Sequence, residues 1–168
     1  AEVNAVDENG RTALMETAMN GNKEVCRLLV EKGAYVNTVD KKGRSALMFA
    51  AKNGDEEVFQ LLILMEKGAD VDAVDGDGRI ALMKAAENGN KEVCRLLIEK
   101  GADVNAVKED GITALMVASQ YGNKEVSQLL IEKGAIVNRD SLKLIKKEIN
   151  LYKKNVLEAL LLWGNFDK

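Results

Sequence analysis

The chain has 168 residues, is 46% hydrophobic and 30% charged, and carries a net charge of −3. That balance is globular rather than disordered, and the negative total argues against a general nucleic-acid binder, whose phosphate contacts need a positive surface. Histidine is absent, so no Ser-His-Asp or Cys-His centre can be assembled.

Residues 1–6, "AEVNAV", match "ADVNAV" at 102–107. They read as the tail of a preceding unit, so the chain is expected to begin mid-repeat. "GRTALMETAMNGN" from Gly10 then returns as "GRSALMFAAKNGD" at Gly43, "GRIALMKAAENGN" at Gly78 and "GITALMVASQYGN" at Gly111. Aligning Asp7, Asp40, Asp75 and Lys108 gives spacings of 33, 35 and 33. Such a period marks a repeat architecture.

Within each unit a short turn leads into a helix carrying "xALM". Asn20-Gly21, Asn53-Gly54, Asn88-Gly89 and Tyr121-Gly122 stop that helix, since Gly or Asn accepts the left-handed conformation there. A second helix follows. In the first unit Val25, Leu28 and Leu29 give it the i, i+3, i+4 stripe of an amphipathic helix. It ends at Gly33, and equivalently at Gly68, Gly101 and Gly134. One unit cannot bury its own stripe, whereas stacked units can. The predicted organisation is four helix-pair repeats, 7–39, 40–74, 75–107 and 108–139. Residues 140–168 form a degenerate terminal cap, with one stripe at Leu142, Ile145 and Ile149 and another at Val156, Leu157, Leu160 and Leu161. No apolar run approaches the roughly 20 residues of a membrane helix.

The period, "DENGRTAL" and "LLIEKGADVNA" resemble ankyrin repeats, in register over residues 1 to about 139. The resemblance implies an all-α solenoid of helix-turn-helix repeats joined by β-turn or hairpin tips, closed here by a C-terminal helical cap. The family's T-P-L-H stands as Thr12-Ala13-Leu14-Met15, Ser45-Ala46-Leu47-Met48, Ile80-Ala81-Leu82-Met83 and Thr113-Ala114-Leu115-Met116. Alanine, the best helix former, replaces proline. Methionine replaces histidine, so apolar packing must replace a polar tie.

Features that could carry chemistry read better as scaffold. Met15, Met48, Met83 and Met116 would form a row along stacked helices about 8–10 Å apart rather than converge on a metal. Cys26 and Cys94 lie two repeats apart, about 20 Å on that spacing, beyond the roughly 7 Å a disulfide spans. They are expected to be semi-buried and free, which suits a reducing compartment. "DVDAVDGDG" at 70–78 fails the calcium-loop pattern, because Arg79 and Ala86 fall where ligands are needed. The second unit holds two extra residues, Leu64 and Met65. They form either a bulge tucked against a neighbouring helix or an exposed apolar bump on the convex side.

The resemblance places partner contacts on the concave side, at turn tips and outward positions of each first helix. Carried over, the candidate contacts are Arg11, Lys41, Lys42, Arg44, Phe49, Lys52, Arg79, Lys84, Ile112, Val117 and Tyr121. Arg11, Arg44 and Arg79 would form a basic row, and with Lys41, Lys42, Lys52 and Lys84 they would make the middle of the groove positive. Phe49, Ile112, Val117 and Tyr121 would put apolar or aromatic groups at solvated positions, and aromatic and Arg side chains are frequent interface anchors. The expectation is a non-enzymatic protein–protein interaction scaffold, with no cofactor and no metal. It would be an intracellular, cytoplasmic monomer engaging an acidic or mixed acidic–apolar segment of another protein. Two alternatives stand beside it: a regulatory module of a larger, possibly enzymatic protein, and an anion or phospho-ligand site on the basic row.

Overall fold

A computed structural model describes residues 2–64 and 68–141, with residues 143, 146, 147 and 150 beyond them. Eight helices are described from end to end among the described residues: α1 (Ala13–Met19), α2 (Lys23–Glu31), α3 (Ala46–Asn53), α4 (Glu56–Leu64), α5 (Ala81–Glu87), α6 (Lys91–Glu99), α7 (Ala114–Gln120) and α8 (Lys124–Glu132). The first helices of the pairs stack in the order α1, α3, α5, α7, and the second helices in the order α2, α4, α6, α8. The described chain is an all-helical solenoid of the kind the periodicity predicts. Among the described residues no helix is long and apolar enough to cross a membrane.

Local sequence sets the helix starts. The hydroxyls of Thr12, Ser45 and Thr113 accept from the backbone N–H of Met15, Met48 and Met116 at 3.3, 3.4 and 3.3 Å. A cap of this kind is worth about 1 kcal/mol. Ile80 stands in that place before α5 and has no hydroxyl to offer; it is buried instead. Antiparallel bridges Val6–Thr12, Val39–Ser45 and Val107–Thr113 close the tip loops just before the caps.

The core lies between successive layers. Leu14, Leu47, Leu82 and Leu115 are fully buried, and so are the four methionines that follow them. The methionine row is therefore packing. Cys26 and Cys94 are free and wholly buried rather than semi-buried. Desolvation pushes the Cys94 thiol up to about 12.

Side-chain amides tie each layer to the next. Asn4, Asn37 and Asn105 each donate to the carbonyl of Gly33, Gly68 or Gly134, and accept from the backbone N–H of Tyr35, Asp70 or Ile136. Asp72 fills the equivalent place in the remaining layer. It accepts from the Asp103 N–H at 3.0 Å, but a carboxylate has no N–H to give to Gly101. Along the helix ends, Asn90 donates to the carbonyls of Ala51 and Lys52, and Asn123 to those of Ala86 and Glu87.

One expectation changes, and one pair of alternatives narrows. The stripe on α2 is not covered: Val25 is 38% and Leu28 51% exposed, whereas Val93, at the place of Val25 on α6, is buried. Among the described residues α2 packs against one other second helix, α4, whereas α6 packs against both α4 and α8. In the second unit α4 runs through Leu64, which is 68% exposed rather than tucked against a neighbour. Met65 lies outside the described residues, as do the cap stripes read over 142–168. The chain turns helical again at 139–141, where the Asn138 side chain accepts from the N–H of Asp140 and Ser141.

Candidate functional site: the tips and the inner helix faces

Each of the first three tips is organised by its leading aspartate. The carboxylate of Asp7 accepts from the N–H of Asn9 and Arg11, both at 2.8 Å. Asp40 does the same for Lys42 and Arg44, and Asp75 for Asp77 and Arg79. Short polar side chains that bond their own backbone ahead make such turns rigid. Successive tips also touch: Lys41 N–H donates to the Asn9 carbonyl at 2.9 Å, and Gly76 N–H to the Lys42 carbonyl at 2.7 Å. Gly43 sits in this contact at φ +71°, where a Cβ would come within 2.9 Å of the Gly76 nitrogen. No other residue fits both the backbone and the approach.

The fourth tip is built differently. Lys108 replaces the aspartate and pairs with Asp110 at 2.6 Å.

Contacts between tip strand and helix define one shared surface. Arg11 pairs with Glu16 at 2.6 Å, Arg79 with Glu87 at 2.9 Å and Lys84 with Asp75 at 2.5 Å. Arg44 makes two hydrogen bonds to Asp40, at 2.8 and 2.6 Å, and lies over the Phe49 ring, 4.9 Å from its centroid. In the first three units the residue after each tip meets one residue of the following helix: Arg11 meets Glu16, Arg44 meets Phe49 and Arg79 meets Glu87. Ile112, Val117 and Gln120 hold the corresponding positions of the fourth unit.

This geometry revises the charge expected of the surface. The arginine row exists, but each guanidinium is already engaged by a carboxylate. Lys84 is half-buried and serves Asp75. Burial opposes ionisation of Asp75, yet the Lys84 ammonium and the N–H groups of Arg79 and Asp77 outweigh it and hold the carboxyl below the usual range. Asp40 is held down in the same way by Arg44 and Lys42. Phe49, expected at a solvated position, is only 7% exposed. Arg44 covers it, in a cation–π geometry.

Lys41, Lys42 and Lys52 are exposed, and none belongs to an ion pair among the described residues. All three belong to the second pair of helices. On the fourth, Ile112 and Val117 are half-buried and Tyr121 is 56% exposed. The carboxylates that engage these cations, Glu16, Asp40 and Glu87 for the arginines and Asp75 for Lys84, are not among the candidate contacts. Opposite charges on one unit at facing positions were the available signal.

A hollow of about 340 Å³ opens between α6 and α8, lined by Lys91, Lys124, Glu125, Gln128, Leu129 and Glu132. Among the described residues no three His, Cys, Asp or Glu side chains are grouped to hold a metal.

A family model described as ankyrin repeats (3 copies) matches residues 1–75 and again residues 63–141. A search of curated proteins finds no match.

Proposed function

The chain belongs to the ankyrin-repeat family, whose repeats are generally protein–protein interaction modules, and on that premise we propose that it binds another protein through its concave surface without catalysing a reaction. The observation that supports the reading is the division of labour on the inner face. Charged scaffold groups there pair with one another, while Lys41, Lys42 and Lys52 stand exposed on the second unit and Ile112 and Val117 are half-buried on the fourth. A surface of tied tips and capped helices needs little ordering on binding. Its cations fit an acidic or mixed acidic–apolar segment of the partner, and the chain acts as a monomer. Two buried free thiols accord with a reducing, cytoplasmic setting. The arginine row lends less support to a phospho-ligand site, because each guanidinium would have to leave its carboxylate.

Affinity capture from a lysate of the source cell tests this. The wild-type chain is run beside Lys41→Glu/Lys42→Glu/Lys52→Glu and beside Leu64→Lys, all verified as folded. A protein held by the wild-type chain and by Leu64→Lys but lost by the triple variant supports the concave reading. Loss only with Leu64→Lys would move the site to the convex side and refute it.

A further inference from the structure

Each unit carries one residue after its tip and two on its first helix at corresponding positions, and the four sets differ in a definite order. In the first, Arg11 and Glu16 neutralise each other. In the third, Arg79 is closed by Glu87 and Lys84 by Asp75. These paired charges are available only by displacing a partner, and the exposed tip carboxylates Glu8 and Asp77 have the wrong sign for an acidic ligand residue.

The second set is open. Asp40 is the one carboxylate there, and Arg44 takes it with two hydrogen bonds. Lys41, Lys42 and Lys52 are left over, with the Arg44–Phe49 stack between tip and helix end. The fourth set carries no charge on its strand and helix positions, which are Ile112, Val117 and Gln120, with Tyr121 exposed at the end of α7. Asp110 at its tip is paired with Lys108, and the exposed Glu109 disfavours an acidic ligand residue at that end.

We infer that the segment bound on this surface is extended and carries two anchors: an acidic pair seated at Lys41, Lys42 and Lys52, and a large apolar residue seated at Ile112, Val117 and Tyr121. The inference rests on the concave-surface reading above. Two helix layers separate the anchors, about 16–20 Å at 8–10 Å per layer. An extended chain advances about 3.3 Å per residue, so the anchors are about five or six residues apart in the ligand. A helical ligand, at about 1.5 Å per residue, would need about 11–13.

Panning a phage-displayed library of random linear 16-residue peptides against the full chain tests this. The expected enriched peptides pair two Asp or Glu with a Leu, Ile, Phe or Tyr five or six positions away, in one chain direction. Synthetic peptides of that pattern should lose about tenfold in affinity for Lys41→Glu/Lys42→Glu/Lys52→Glu. Moving the apolar residue by three positions should weaken them for the wild-type chain. Enriched peptides with another spacing, about 12 residues included, that still lose affinity for the triple variant would overturn the two-anchor geometry and leave the concave reading in place. Peptides held equally by wild type and variant would overturn both. Absence of enrichment would overturn the linear-segment inference, leaving the capture experiment to judge the concave reading.

Discussion

The Lys84 ammonium sits 2.5 Å from a carboxylate oxygen of Asp75, with only 14% of the lysine side chain and 2% of the aspartate side chain exposed. The pair links the third tip to α5, and it turns a residue that reads as a groove cation into part of the scaffold. Removing the lysine leaves a buried carboxylate with only backbone donors. Lys84→Ala is expected to cost about 2–3 kcal/mol, read as a lowered denaturation midpoint. Lys52→Ala, on an exposed side chain, should change stability by less than about 0.5 kcal/mol. Equal effects would refute the distinction.

Asp72 is the one member of the inter-layer clip that cannot donate. Asp72→Asn should restore the bond to the Gly101 carbonyl that Asn4, Asn37 and Asn105 make in their layers. A stabilisation of about 1 kcal/mol is expected in urea denaturation. No gain would mean that the clip accepts but does not need to donate.

The thiols should be silent in the native state. Cys94 is wholly buried, and burial raises its pKa to about 12, so almost no thiolate exists at pH 8. Cys26 is buried too, but α2 beside it exposes Val25 and Leu28. A thiol-reactive dye at pH 8 should label neither cysteine rapidly, and Cys26 before Cys94, as local opening starts at the less covered layer. Immediate labelling of Cys94 would contradict the packing.

Acid should loosen the tips. The carboxyls of Asp40 and Asp75 lie below the ordinary 3.8 in the folded chain, where Arg44, Lys84 and backbone donors outweigh burial. A group with a lowered folded-state pKa adds stability that is fully present above its unfolded value and is lost as pH falls through the folded one. The denaturation midpoint should therefore hold between pH 7 and about pH 5 and drop below about pH 4. Asp40→Asn/Asp75→Asn should flatten that drop. An equal drop in both proteins would assign it to other carboxyls.

The repeat plan was legible because it recurs: the Asn-Gly helix stops and the buried Leu-Met pairs follow from periodicity alone. The charge state of the inner face was not. Whether Arg11, Arg44 and Arg79 are free depends on side-chain reach to Glu16, Asp40 and Glu87, which residue type does not reveal. Phe49 misled for a related reason: its position looks outward on a helix, but Arg44, five residues earlier in the tip, folds over the ring. The exposed stripe on α2 depends on stack order, since the same "EVC" sequence is covered in α6.

Hydrogen–deuterium exchange on the chain, with and without a captured partner, tests the central claim most directly. The account expects slowed exchange at 40–53 and 111–121, with α2, α4, α6 and α8 unchanged. Protection confined to those second helices would contradict it.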